Sequence, residues 1–223
     1  MSDMLKKYVR ENLWFLIPWL LFVITCSYFC IAYSKVDLHL ISNQFVGGWS
    51  DTLFLILTST GDGLIIIVAI AILLFFNTRM AIQLAIIFVI STIIAHLFKD
   101  VLMVHTYRPY YVFNHLHIKL KLISGMYMNE VSSFPSGHSM TAFSLLAFFA
   151  FYIRNNYIKL LFCVTAILIA YSRVYLSQHF LIDILAGSLI GVITVVLVMA
   201  YSNISDKYNA PLKAYLQSRK ELE

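Results

Sequence analysis

Six stretches of this 223-residue chain are apolar over all or most of the length of a bilayer span, and they limit the fold more than any other feature. A helix needs about 20 mostly apolar residues to cross the hydrocarbon core. Residues 13–33, 52–76, 80–104, 157–175 and 180–201 meet that length, whereas 139–152 reaches it only if 134–138 forms its first turn. With 61% hydrophobic and 12% charged residues, the composition excludes an ordinary soluble domain. The expected fold class is all-α: a six-transmembrane-helix bundle forming one domain over residues 1–223. Thr60, Gly61, Asp62 and Gly63 interrupt the second stretch, which predicts a kink or an interfacial half-helix there. The first stretch is long for a signal-peptide core and shows no small-residue cleavage site, so it is expected to be retained.

An even number of spans puts both termini on one side, and positive charge decides which. Lys6, Lys7, Arg10, Arg79, Arg154, Lys159, Lys207, Lys213, Arg219 and Lys220 fall on the terminal side. Lys35, Lys99, Arg108, Lys119, Lys121 and Arg173 fall opposite. The bias predicts cytoplasmic termini, a solvated and partly helical tail from about residue 202, and outward-facing connections at 105–134 and 176–178. Because the basic residues are scattered in short connections, the net charge of +5 points to membrane orientation and not to nucleic acid. Residues 35–49 have the spacing of a short interfacial helix, and the alternation over 118–122 suits a segment lying flat on lipid.

Three polar clusters break the apolar pattern, and the expected topology delivers all of them to the outer side. In SRVYLSQHFLID, residues 172–183, His179 and Asp183 are four apart, which on a helix is one turn on one face. A carboxylate that holds one imidazole nitrogen as N–H leaves the other with a free lone pair, able to attack or to take a proton. Arg173 precedes them with a planar fork of donors suited to phosphate oxygens. The other clusters are KDVLMVHTYRP at 99–109 and FPSGHS at 134–139. This is the pattern of a phosphate site with a histidine nucleophile.

Taken in order, Lys and Arg-Pro, then Pro-Ser-Gly-His, then Ser-Arg, five residues, His, three residues and Asp, the clusters resemble the signature of the type 2 phosphatidic acid phosphatase superfamily. The second and third match residue for residue. The resemblance covers 99–183 and the six-span pattern. It implies a helical membrane enzyme that dephosphorylates lipid phosphates without a metal or other cofactor, through a phosphohistidine. It also places six residues between the lysine and the Arg-Pro pair, where this chain has eight between Lys99 and Arg108. Two extra helical residues turn a side chain by about 200°. Lys99 therefore reaches the site only if the helix unwinds before Arg108, and His105 and Lys119 are the alternatives.

Each group has an expected role. Arg108, Arg173 and Lys99 clamp the non-bridging oxygens, while Ser136 and Gly137 offer backbone N–H groups at a helix start. His179 attacks, Asp183 fixes its tautomer, and His138 protonates the leaving oxygen before activating water. The two histidines and the aspartate could form a metal triad, but the flanking arginines repel a cation, so no metal is expected. The expected partners are a lipid phosphate and the surrounding membrane lipids. Undecaprenyl diphosphate, phosphatidylglycerol phosphate, phosphatidic acid and lipid A are the substrates that the resemblance implies. The compact length suits a bacterial inner membrane with a periplasm-facing site. Rival readings are a lipid phosphotransferase of the same fold and a transporter that only binds phospholipid headgroups. His39, His96, His115 and His117 lack motif partners and are expected to be ordinary loop, interface or core histidines. Asp62 is expected to be structural, and Cys26, Cys30 and Cys163 to be small buried side chains.

Overall fold

The structure, a computed structural model, describes residues 9–220, with side chains described over 9–202. It is all-α: α1 (Leu13–Ala32), α2 (Lys35–Asn43), α3 (Trp49–Ser59), α4 (Gly63–Phe76), α5 (Thr78–His96), a π-helical turn (Leu97–Leu102), α6 (Pro109–His115), α7 (Gly137–Tyr152), α8 (Asn156–Tyr175) and α9 (Leu181–Lys220). Short polar side chains set most of the starts by accepting from exposed N–H groups of the first turn. Ser34 caps α2, Asp62 caps α4, Asn77 caps α5, Ser136 caps α7 and Asn155 caps α8.

Among the described residues, four helical segments are long and apolar enough to cross a membrane: Leu13–Ala32, Thr78–Leu102, Asn156–Tyr175 and Leu181–Ser202. A fifth arises if α3 and α4, bent by 50° across the Thr60 to Asp62 break, count as one. The chain is thus an all-α integral membrane protein with four to five candidate spans, against the six expected. The difference lies in α7. Phe134 and Pro135 stay outside it, so its 16 residues cover only about 24 Å of a hydrocarbon core of roughly 30 Å.

Its position explains why a short helix is tolerated there. α7 is packed by α9, α8 and α5, and Met140, Ala142, Phe143, Leu145, Ala147, Phe148 and Ala150 are buried along it. A helix wrapped by other helices has no need to match lipid thickness. The contact with α9 is close because α9 presents Gly187 and Gly191 one turn apart. A Cβ on Gly187 would lie 2.6 Å from the Ser136 carbonyl oxygen, and one on Gly191 would lie 2.8 Å from that of Met140. Small residues at this spacing let two backbones touch inside a bilayer, where hydrophobic association between helices is weak.

Other expectations are revised. The interfacial helix ends at Asn43 instead of reaching Trp49, and it buries His39, Ser42 and Asn43. The segment expected to lie on lipid docks on that helix: Lys121 N–H donates to Asn43 Oδ1 at 2.8 Å, and Asn43 Nδ2 donates to the Lys121 carbonyl at 2.9 Å. Lys159, counted above as a terminal-side charge, is buried and donates to Asn12 Oδ1 at 2.8 Å, tying α8 to the start of α1. The tail backbone continues α9 as one helix to Lys220. Its expected solvation, and the charges of Lys6, Lys7, Lys207, Lys213, Arg219 and Lys220, fall outside the described side chains.

Candidate active site

The end of α8 makes the first part of the site. The N–H groups of Gln178 and His179 both donate to the Arg173 carbonyl, at 2.9 and 3.1 Å, and Ser177 takes the left-handed conformation with φ +53°. This curled cap reverses the chain within four residues and starts α9 at Leu181. His179 accordingly stands just before the helix and not on its first turn. Its Nδ1 lies 3.4 Å from Asp183 Oδ2, close but not hydrogen-bonded. The expected orienting pair is therefore an electrostatic contact here. Asp183 has other partners: the same Oδ2 accepts from Phe180 N–H at 2.9 Å and from Ser133 Oγ at 2.5 Å. A carboxylate over free N–H groups at a helix start is favourably placed.

The second part is the start of α7. Ser136 Oγ accepts from Ser139 N–H, while Ser136 N–H donates to the Asp183 carbonyl at 3.1 Å, so the Pro-Ser-Gly-His and His-Asp clusters are stitched backbone to backbone. Next to His138 lies the break between α3 and α4. A Cβ on Gly61 would meet Ile169 Cγ2 at 2.7 Å and His138 Cβ and Cδ2 at 3.4 Å, so only glycine lets the bent span approach this closely. Asp62 caps α4 through Leu64 N–H at 3.0 Å, and its charge is felt at both His138 and Arg173.

The cations arrive from three directions. Arg173, at the end of α8, donates through Nη1 to Thr58 Oγ1 at 2.6 Å, and its buried Nε has no hydrogen-bond partner among the described residues. Arg108 is buried. Its Nε donates to the Val131 carbonyl at 2.9 Å, and its Nη1 donates to Gln178 Oε1 at 3.2 Å and to the Gln178 carbonyl at 3.3 Å. Lys99 sits on the π-helical turn, closed by an i to i+5 bond from Met103 N–H to the Phe98 carbonyl at 2.7 Å. The helix ends at Leu102 and the chain is non-helical from Met103 to Arg108, so it unwinds before the arginine, as Lys99 requires. Lys99 Nζ lies 4.0 Å from where a Gly137 side chain would begin. A cavity of about 110 Å³ adjoins that contact, lined by Lys99, Gly137, Thr141, Ser144 and others. Of the two alternative cations, Lys119 is exposed, whereas His105 lines a 270 Å³ hollow with Lys35, Ser133, Phe134, Phe180 and Asp183.

The eight residues singled out from the sequence thus gather at one end of the bundle. Lys99, Arg108 and Arg173 interact electrostatically with Asp183 or with one another, and His138 and His179 lie within the same field. Burial pushes the His179 pKa down to about 4, with the two arginines adding to the effect and Asp183 opposing it. The imidazole is therefore neutral near pH 7. Among the described residues, no three His, Cys, Asp or Glu side chains are arranged to hold a metal ion. What the site offers is a neutral, buried imidazole facing an excess of fixed positive charge, an environment that draws in an anion.

Sequence reasoning missed Ser133, Thr58, Gln178 and Gly61, which hold these groups without belonging to a motif. Only Gly61 carried a signal, as part of the interruption in the second apolar stretch.

Comparison with known proteins fits this architecture. Residues 80–206, more than half of the chain, match the sequence profile described as the PAP2 superfamily. A Drosophila melanogaster protein, provisionally named a phosphatidate phosphatase, is 36% identical over 96 residues, covering 38% of this chain and 25% of its own. The phosphatidylglycerophosphatase B of Bacillus subtilis (strain 168) is 33% identical over 78 residues, covering 31% of this chain and 38% of its own. The matches thus span well under half the length of these curated relatives. Among crystal structures, Aquifex aeolicus LpxE shares the fold with a TM-score of 0.62 at 22% identity, over 73% of this chain and 93% of its own. A Bacillus subtilis transmembrane PAP2 type phosphatidylglycerolphosphate phosphatase does so with a TM-score of 0.63 at 18% identity, over 86% and 96%. On the span of that profile match, this chain belongs to the PAP2 superfamily.

Proposed function

We propose that the protein is a lipid phosphate phosphatase that works through a phosphohistidine on His179, without a metal. The observation that carries this reading is the buried neutral imidazole of His179 standing among Arg108, Arg173 and Lys99, with His138 in the same field. A site meant only to bind a headgroup needs the cations but has no need of two histidines. The lone pair on His179 Nε2 attacks phosphorus, the bond from phosphorus to the lipid oxygen breaks, and that oxygen takes a proton from His138, which the bound phosphate anion holds in its charged form. Water then gives a proton to His138 and its oxygen attacks phosphorus. The P–N bond breaks, releasing orthophosphate and restoring both histidines. Charge moves from attacking to leaving groups throughout, so fixed cations around the equatorial oxygens lower the barrier. The free Arg173 Nε is a donor available to one such oxygen.

The membrane setting follows the same reading. With α7 as a sixth, inner span, both termini lie on the cytoplasmic side and the site opens at the outer interface. In a bacterial inner membrane that is the periplasmic face. The phosphate enters the basic pocket while acyl or prenyl chains stay in lipid. The relatives' names point to phosphatidate and phosphatidylglycerophosphate as first candidates, with undecaprenyl diphosphate and lipid A phosphates beside them.

Orthophosphate released by the purified protein from a panel of these lipids, in excess chelator and in ¹⁸O-water, tests the proposal. Turnover of at least one lipid, with one labelled oxygen per phosphate, is expected. Transfer to an added alcohol without label would make it a phosphotransferase, and no release from any lipid would leave a binder or transporter.

A further inference from the structure

We infer that His39 is a positioning residue for His179: from α2 it clamps Ser177, and through Ser177 it sets where the imidazole of His179 stands. The inference rests on the reading of His179 as nucleophile. His39 belongs to no motif and is 138 residues from Ser177 in the chain, yet its Nε2 lies 3.0 Å from Ser177 Oγ and its ring is 2% exposed. The ring is wedged between Phe113, at 5.3 Å between centroids, and Phe180, at 5.5 Å; Phe180 directly follows the nucleophile. Packing does not account for an imidazole there. Its Nδ1 is buried without a hydrogen-bond partner among the described residues, which is unfavourable, and a phenyl ring would fill the slot with no such penalty. The bond to Ser177 is what the imidazole adds.

Ser177 is the residue that needs holding. It adopts φ +53°, a conformation that glycine takes freely and serine does not. The turn it makes is the one that sends Gln178 N–H and His179 N–H back to the Arg173 carbonyl. Asn43, one turn along the same short helix, approaches the same hydroxyl at 3.5 Å and is itself fixed by Lys121 on both sides of its amide. α2 therefore grips the nucleophile's turn from below with two side chains. A glycine at 177 would make the turn unaided but would give α2 nothing to grip.

The test is kinetic, on the purified full-length protein with the most rapidly hydrolysed lipid of the panel above. His39→Phe is expected to lower kcat by about 10- to 100-fold, the scale set by sub-ångström misplacement of a reacting group, with KM within about twofold. His39→Gln, which keeps an amide in reach of Ser177, is expected to recover most of that loss. Adding Ser177→Gly to His39→Phe is expected to bring kcat back near that of Ser177→Gly alone, because the turn then no longer depends on the clamp. Should His39→Phe fail to accumulate, Ser177→Ala keeps the strained turn without the hydroxyl and is expected to show the same kcat loss. A folded His39→Phe with wild-type kcat, or a loss that persists undiminished on the glycine background, would overturn the inference. Normal turnover by His179→Ala would instead remove the nucleophile reading, whereas an inactive His179→Ala beside a fully active His39→Phe removes only the positioning role.

Discussion

The chain contains two histidine–aspartate pairs at the same four-residue spacing, and they differ in everything except the spacing. His96 and Asp100 make the better hydrogen bond, Nδ1 to Oδ2 at 2.9 Å, with side chains 67% and 64% exposed. His179 and Asp183 stand 3.4 Å apart with side chains 3% and 4% exposed, among three cations and beside the start of α7. Water screens the first pair and leaves it little to do. The second is held from two stretches, by Ser133 and the Ser136 backbone on one and by the Arg173 carbonyl on the other. Spacing makes such a pair available; burial among fixed charges makes it useful.

Variants at the buried pair give the largest effects. His179→Ala is expected to reduce phosphate release by about 10⁶-fold, on the scale seen when a hydrolase loses its nucleophile, and to remove the base-stable, acid-labile phosphoprotein from a quenched reaction. Residual turnover near wild type would erase the distinction between the two pairs. Asp183→Asn is expected to lower kcat by up to about 10⁴-fold, as when a triad histidine is held in the wrong tautomer. A loss under tenfold would mean that the 3.4 Å contact contributes nothing to orientation.

Acid stability sharpens the comparison. Burial holds His179 at about 4 and His39 at about 4, against an ordinary value of 6.5. Between those values the unfolded chain binds protons that the folded one refuses, so stability is full above pH 6.5 and is lost as pH falls toward 4. The thermal midpoint in detergent is expected to drop from pH 7 to pH 4.5, and His39→Gln is expected to flatten that slope. An unchanged slope would show that the ring is not kept neutral by the fold. Smallest of all, His96→Ala and Asp100→Asn are each expected to change kcat by less than about twofold, consistent with a solvated pair.

Much of this was legible in the chain. Apolar runs and capping residues are local signals, so α1, α5, α8 and the start of α9 fall within a few residues of expectation, and the three clusters name all eight side chains that gather at the site. Distance in sequence hid the rest. Ser133 meets Asp183 across 50 residues, Arg108 meets Gln178 across 70, and Arg173 meets Thr58 across 115. No periodicity encodes such pairs. Lys99 falls on a π-helical turn that has no compositional mark in LFKDVL, and His39 looked like any core histidine until its hydroxyl partner was known.

The missing side chain at Gly187 has a reach beyond its own position. One turn before it stands Asp183, and across from it is the carbonyl of the residue that caps the Pro-Ser-Gly-His helix, so the separation of His138 from His179 is gauged by a contact with no polar chemistry at all. Enlarging that position, even to alanine, drives a wedge between the two clusters and shifts their histidines apart, although no ionisable group is removed. A random screen for inactive protein would find this apolar spot alongside the motifs.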